Sequence, residues 1–337
     1  MKALVLQQPG EVTIGHVPYP TPSGDEILLQ VRRVGLCGSD LNSYRGKNPM
    51  ISYPRILGHE VAATVVETSK HHPQFTAGLN VTLSPYTQCR KCPSCLRGRP
   101  NACQFNETMG VQRDGALAEY IAVPPGKLYT ANLNLKELCL VEPLTVGFHS
   151  VARGRVTSED TVAIIGCGGI GLGAVAASGF RRARTIAIDV DDNKLSLAVK
   201  AGATDTINTT REDMHAKLQE LTEGRGPDII IEAIGLPQTF RAAVEEVAFT
   251  GRVVYIGYAK EPVAYETRLF VQKELDILGS RNALPADFRE VIRMLEDHCF
   301  PVDEAVSKIV PIENAPTILK SWSDNPASFS KIMIEVG

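Results

Sequence analysis

The sequence predicts an α/β chain of two domains, one β-rich and one built on a doubly wound parallel sheet, and three observations carry that expectation. Its 337 residues exceed the usual reach of one hydrophobic core, so two cores are expected. Roughly the first 145 residues read as short alternating segments, such as 26–34 and 59–67, broken by Gly and Pro in the manner of β-rich folds. Beyond Asp160 the rhythm changes. Apolar runs at 161–165, 185–188, 228–231 and 253–256 alternate with helix-like stretches at 193–200 and 238–247, which is the βαβ pattern of a parallel sheet.

Taken in order, residues 1–6 form a first strand that Gln7, Gln8, Pro9 and Gly10 end. No basic n-region or long apolar core opens the chain, so a cytoplasmic protein is expected. The uncharged run 161–180 has the length of a membrane span, yet its glycines bunch at Gly166, Gly168, Gly169 and Gly171, which fits a buried strand turning into a helix. Past Gly279 a helix at 286–296 and a closing strand at 330–335 read as a return to the first domain. The expected division is therefore 1–146 with 281–337 against 147–280, with hinges at 147–155 and 278–282. No internal repeat is present.

Charged residues make up 22% and the formal net charge is -3. That excludes the basic excess by which proteins hold nucleic acid or anionic lipid, so the expected partner is a small molecule. Of the 8 cysteines, four crowd into residues 89–103, a spacing suited to a metal in a reducing compartment.

The run Gly166-Cys167-Gly168-Gly169-Ile170-Gly171 follows an apolar strand and opens an apolar helix. Its glycines sit where backbone approaches a pyrophosphate at a helix N-terminus. A second strand ends in Asp189, eighteen residues past Gly171, where a carboxylate accepts hydrogen bonds from the adenosine ribose. Asp189 would repel the extra phosphate of NADP, and positions 190–193 offer no arginine, so NAD is expected. Lys194 is placed with this cofactor-binding set. The alternative is a glycine-rich turn needed only for strand–helix packing.

Cys89, Cys92, Cys95 and Cys103 form a CxxCxxCx7C cluster. Four thiolates closing a tetrahedron leave no place for substrate, so a structural zinc is expected there; disulfides or free thiols are the alternative. A second set is scattered: Cys37 in GLCGSD, His59 and Glu60 in GHE, and Glu142 in VEP. By residue type alone Cys37 reads as a buried thiol and His59 as a satisfied core histidine as readily as ligands.

The order of these motifs, the cysteine lobe and the later GxGGxG resemble the zinc-containing medium-chain dehydrogenases over nearly the whole chain. Within that family, Glu142-Pro143-Leu144-Thr145-Val146-Gly147 is similar to the sorbitol dehydrogenase branch. The resemblance implies a GroES-like catalytic domain joined to a Rossmann domain, and two zinc ions per subunit. It further implies that Cys37, His59 and Glu142 hold a catalytic zinc, with Glu60 beside it as an occasional or water-mediated ligand. The zinc would act as a Lewis acid and Ser39 would accept the substrate proton. Where the family often has a histidine three residues beyond this serine, this chain has Asn42, which cannot titrate; the proton would leave through water or Glu60. Arg281 resembles the family arginine that enters the cleft, with a solvated hinge arginine as the alternative. The resemblance also implies a homodimer or homotetramer.

The segments Tyr44-Arg45-Gly46-Lys47-Asn48-Pro49 and Ser52-Tyr53-Pro54-Arg55 are polar where an aliphatic-alcohol pocket would be apolar. With residues 279–287 they look most similar to bacterial dehydrogenases of sugar acids, the L-galactonate, L-gulonate or L-idonate 5-dehydrogenases, and Arg45, Lys47 or Arg113 would hold the carboxylate. Polyols such as sorbitol or xylitol are the second expectation. L-Threonine and simple alcohols follow; the segment after Ser39-Asp40 departs from the tryptophan-bearing pattern of threonine dehydrogenases, and the only tryptophan is Trp322. A non-catalytic binding or regulatory protein that kept the fold is the alternative of a different class. His149 is expected to pack in the helix following Glu142, His71 and His72 to lie in an exposed loop, Cys167 to fill space, and Cys139 and Cys299 to be inert core thiols.

Overall fold

In a computed structural model, which describes residues 1–68 and 71–337, the chain divides into two compact units, residues 1–142 with 302–337 and residues 143–301.

The first unit is built mainly on antiparallel pairing, with Lys308–Pro311 running parallel to Ile332–Glu335. Its seven-stranded sheet runs in the order Lys308–Pro311, Ile332–Glu335, Ile27–Leu36, Glu60–Val65, Asn80–Leu83 and Leu128–Thr130, with Tyr120–Val123 also paired to Ile27–Leu36. A smaller sheet joins Glu11–His16, Lys2–Gln8 and Arg55–Ile56. Alternation in Ile27–Leu36 turns Ile27, Leu29 and Val31 inward. Leu4, Leu6, Leu57, Leu83, Leu117, Leu319 and Ile334 complete one core.

Register positions the chemistry of this unit. Ile332 pairs with Leu36 and Gly35 pairs with Glu60, so the residues at these strand ends, Cys37, Glu60 and Lys331, come to one edge of the sheet. A bulge between Val31 and Arg33 sets which residues of Ile27–Leu36 face the core beyond it. A Cβ on Gly35 would lie 2.0 Å from Glu60 Oε2, so only glycine lets that carboxylate cross the neighbouring strand.

The second unit is a six-stranded parallel sheet in the order Asp205–Asn208, Arg184–Asp189, Thr161–Ile165, Ile229–Glu232, Arg252–Tyr255 and Asp276–Gly279. This strand order is the doubly wound one, with its switch point between Thr161–Ile165 and Ile229–Glu232. These two strands are buried at nearly every position, as expected of strands covered on both faces.

The division differs from the sequence expectation at both crossings. The first falls between Glu142 and Pro143, inside the helix Leu135–Arg153. Proline disfavours helix in the residue before it, but Leu138, Cys139, Val141, Leu144, Phe148 and Val151 are all buried and their burial carries the helix through. Glu142 therefore lies within this helix rather than ahead of it, and residues 147–153 of the expected hinge are helical. The second crossing falls at Pro301, so residues 281–301 belong to the parallel-sheet unit. The helix Pro285–Glu296 is fastened there by Asp287 Oδ2 to His149 Nδ1 at 2.9 Å and by Glu290 to Arg181 at 2.9 Å.

Among the described residues, no helix is long and apolar enough to cross a membrane. The uncharged run 161–180 is the strand Thr161–Ile165 followed by the helix Gly169–Phe180.

Candidate metal centres and cofactor loop

The sulfurs of Cys89, Cys92, Cys95 and Cys103 all lie within 4.8 Å of one another. Cys92 Sγ and Cys103 Sγ are 3.9 Å apart, close to the edge of about 3.8 Å that a tetrahedron with Zn–S near 2.3 Å requires, and far beyond a disulfide bond of about 2.05 Å. Local backbone makes this possible. Arg90 turns the chain through φ 60, and the short helix Pro93–Leu96 folds Cys95 back toward Cys92. Amide groups then donate to the sulfurs: Cys89 N to Cys103 Sγ at 3.3 Å, Cys92 N to Cys89 Sγ at 3.3 Å and Phe105 N to Cys103 Sγ at 3.4 Å. A hydrogen bond from Ser94 and two backbone amides pull the Cys92 thiol down to about 5, whereas burial and the neighbouring thiols push Cys95 up to about 11. The donor set fits one zinc.

At the edge of the antiparallel sheet, ligand atoms of Cys37, His59 and Glu60 converge within 4.8 Å. His59 is 6% exposed and its Nδ1 is buried with no hydrogen-bond partner, an orphan that a metal or a donor would satisfy. Burial opposes protonation of His59, but the Cys37 hydrogen bond and the charges of Cys37, Asp40 and Glu142 outweigh it and hold the imidazole well above its ordinary range. Sulfur, nitrogen and carboxylate oxygen together are a zinc donor set with an open position.

Three residues around this cluster were not singled out in the sequence. Asp40 is fully buried, and its two oxygens accept from Cys37 N at 2.8 Å and Gly58 N at 3.3 Å, tying the two ligand-bearing loops together. Burial pushes its carboxyl up and the nearby His59 draws it back. Lys331 Nζ reaches both oxygens of Glu60 at 2.7 Å and the carbonyl of Leu36 at 3.2 Å. Burial works against that ammonium, and Glu60 more than restores it. Tyr86 Oη donates to Glu142 Oε1 at 2.5 Å. A lysine just before the last strand and a tyrosine just ahead of the cysteine lobe carried no motif; only strand register and chain folding bring them here.

The sequence grouped Glu142 with Cys37 and His59 and set Glu60 beside them. In the structure Glu60 stands in the tightest group, while Glu142 lies a step outward within electrostatic reach of His59, Glu60 and Lys331. Burial pushes the Glu142 carboxyl up, and His59 and Tyr86 counter it in part. Ser39 lies in the first turn of the helix Gly38–Tyr44, and its Oγ is buried with no hydrogen-bond partner. Arg281 follows the strand Asp276–Gly279 in the parallel-sheet unit and is exposed.

The glycine loop sits as expected between Thr161–Ile165 and Gly169–Phe180. Gly166 has φ +96, and a Cβ on Gly171 would meet the Gly166 carbonyl at 1.7 Å, so the loop closes on itself only with glycine there. A Cβ on Gly168 or Gly169 would meet nothing within 4 Å, which leaves open room in front of the helix N-terminus, the place a pyrophosphate takes. Asp189 ends its strand with 7% exposure. It accepts from Cys167 N at 2.8 Å, Val190 N at 2.8 Å and Asp191 N at 3.1 Å, and Lys194 Nζ stands 3.8 Å away. The exposed apolar side chains Ile170, Val190, Ile234 and Leu236 flank this end of the sheet as a base or ribose would require.

Several minor expectations separate here. Cys139 and Cys167 are buried thiols, the latter pushed up to about 12 by burial and Asp189. Cys299 is exposed and not a core thiol, because it follows the last turn of the helix Pro285–Glu296. His71 is exposed, but His72 is half-buried and its Nε2 lies 3.1 Å from Asp25. Arg45 is tied by its Nε to Ser323 Oγ at 3.1 Å, and together with Lys47 it lines a surface recess with Pro9, Gly10 and Tyr44, about one helix length of 10 Å from Cys37.

Residues 23–132 match the family model for an alcohol dehydrogenase GroES-like domain, and residues 169–297 match that for a zinc-binding dehydrogenase. The chain is 34% identical to a zinc-type alcohol dehydrogenase-like protein of Haemophilus influenzae, over 98% of each chain. It is 30% identical to L-galactonate-5-dehydrogenase of Escherichia coli, over 92% of each chain. Against sorbitol dehydrogenase of Bacillus subtilis it is 34% identical over 83% of this chain and 81% of that one. Among solved structures, an alcohol dehydrogenase from E. coli complexed with NADH superposes with a TM-score of 0.92 at 27% identity, over 99% of each chain.

Proposed function

The chain belongs to the zinc-dependent, NAD(P)-linked alcohol dehydrogenase family, and from that premise we propose that it oxidises a secondary hydroxyl of a sugar acid of the L-galactonate, L-gulonate or L-idonate type, at C5, with NAD. The reading rests on one observation: Arg113 keeps a buried Nε with no hydrogen-bond partner, while its Nη2 donates to Pro85 O at 3.2 Å. Pro85 precedes Tyr86, whose hydroxyl is on Glu142. A half-buried guanidinium with an orphan donor, two links from the metal centre, suits a carboxylate. With Arg45 engaged by Ser323, Arg113 is the strongest of the three clamp residues considered. The identity to L-galactonate-5-dehydrogenase supports the same class.

In this reading Cys37, His59 and Glu142 hold the catalytic zinc, Glu60 stays beside it because both its oxygens are engaged by Lys331, and the four cysteines of the lobe hold a second zinc. Bound zinc would supply a Lewis acid that lowers the pKa of a substrate hydroxyl, and bound NAD would supply the hydride acceptor. Ser39 Oγ, buried and without a partner, would take the hydroxyl proton as it hands on its own. Asn42 cannot carry it further, so the proton leaves through water. The glycines at 166–171 would seat the pyrophosphate, and Asp189 would face the adenosine ribose. The strand Asp276–Gly279 is the last of its sheet, and a homodimer or homotetramer is proposed; a monomer mass in light scattering would refute it.

The zinc-loaded protein, incubated with NAD and a panel of hexonates, polyols, L-threonine and simple alcohols while NADH absorbance is followed, tests the reading. The expected result is a hexonate with the highest kcat/KM. Arg113→Met then lowers the hexonate-to-polyol ratio by about 10- to 100-fold, the worth of a charged hydrogen bond. The similarity to sorbitol dehydrogenase favours polyols as the second reading. A sorbitol or xylitol maximum would establish it and remove the clamp role from Arg113.

A further inference from the structure

The Tyr86–Glu142 contact has no counterpart in the motifs that led to the metal centre. Both side chains are almost completely buried, Tyr86 at 6% and Glu142 at 3% exposure, and the hydroxyl meets Oε1 at 2.5 Å. A phenol this deep needs a partner. The two residues come from different parts of the chain: Tyr86 from the segment between the strand Asn80–Leu83 and the cysteine lobe, Glu142 from the helix Leu135–Arg153. Tyr86 is itself fixed on either side. It bridges Thr108 in antiparallel pairing, and the Pro85 carbonyl before it accepts from Met109 N at 3.1 Å and from Arg113. The ring therefore comes from a braced backbone.

A carboxylate has a broad terminal torsion. Left to itself, Glu142 has a choice of one-oxygen or two-oxygen attachment to a cation. A fixed O–H on Oε1 removes that choice, because rotating the carboxylate would break the hydrogen bond inside a buried site, where an unmet polar group is costly. Resting on the reading of Glu142 as a ligand, we infer that Tyr86 is a positioning residue which sets the rotation of the Glu142 carboxylate and thereby the coordination number of the catalytic metal. The effect reaches the reaction through Glu142 alone, and Tyr86 touches neither hydride nor proton.

The test uses the full-length enzyme with zinc retained in the cysteine lobe and cobalt(II) placed in the catalytic cluster. Cobalt affinity is measured by chelator competition and its visible absorption is recorded for wild type, Tyr86→Phe, Glu142→Ala and the double variant. Tyr86→Phe is isosteric, and its melting temperature reports whether it folds. The expected result is a 10- to 100-fold loss of cobalt affinity in Tyr86→Phe, the usual effect of removing such an outer partner. Its absorption should shift in intensity with the changed coordination number, and adding the Phe substitution to Glu142→Ala should have no further effect. Wild-type affinity and spectrum in Tyr86→Phe, with Glu142→Ala impaired, overturn the inference alone. A Glu142→Ala enzyme that binds cobalt like wild type overturns the ligand reading beneath it. Equal losses from Tyr86→Phe with and without Glu142 assign the tyrosine a merely structural role and overturn the inference as well.

Discussion

The two candidate metal centres of this protein are made in opposite ways. The cysteine lobe draws all four ligands from residues 89–103, of one chemical type, on backbone that supplies its own amide donors to sulfur. The other cluster takes Cys37 and His59 from two loops and Glu60 from the first position of a strand, with Glu142 nearby on a helix, and its supports lie outside it: the carboxylate of Asp40 ties the Cys37 and Gly58 segments together, Lys331 holds Glu60 and Tyr86 holds Glu142. A closed set of four like donors needs only local geometry, whereas a site that must keep a position open for substrate needs its ligands held from outside. The contrast predicts where each centre is fragile.

The largest effect should come from the ligand itself. Cys37→Ala is expected to lower kcat/KM by about a thousandfold or more, since Lewis-acid stabilisation is worth several kcal/mol, and to remove one zinc per chain while the other remains. Metal analysis together with NADH formation checks both, and full activity with one zinc would place the chemistry elsewhere.

Next comes the outer support. Lys331→Met leaves Glu60, 1% exposed, buried without its counter-ion, and should destabilise the antiparallel unit by about 3–5 kcal/mol. Glu60→Gln in the same chain should recover part of the loss. Urea unfolding measures this, and an unchanged midpoint would show the ion pair to be dispensable.

The cofactor loop offers an intermediate case, local in sequence yet braced by a neighbouring strand. Asp189→Ser removes the charge expected to exclude NADP and three backbone hydrogen bonds. The NAD-to-NADP preference should fall by about 10- to 100-fold, with a raised KM for NAD, and an unchanged ratio of kcat/KM for the two cofactors would free Asp189 of that role.

The smallest effect on turnover is expected where the comparison says chemistry is absent. Cys103→Ala should lose the lobe metal and expose residues 89–103 to protease, yet change kcat by less than about tenfold, because four-coordinate cysteine sites are structural. A loss as deep as that of Cys37→Ala would erase the distinction between the centres.

Sequence alone was enough for whatever depends on near neighbours along the chain. The strand at 161–165, the glycine loop, the helices near 193–200 and 286–296 and the cysteine lobe are all local patterns of hydrophobicity or spacing, and the structure places them within a residue or two. The donor types of the second centre were legible through resemblance. Its supports were not: Lys331 stands 271 residues from Glu60 and Tyr86 stands 56 from Glu142, and neither carries a motif. Strand register, with Ile332 opposite Leu36 and Gly35 opposite Glu60, decides that Lys331 meets Glu60. A slip of one residue would turn those side chains to the other face. The passage of a helix through Pro143 and the retention of residues 281–301 in the parallel-sheet unit were likewise tertiary decisions. Burial of the flanking apolar residues outweighed the local preference in the first, and pairing of Asp287 with His149 fastened the second.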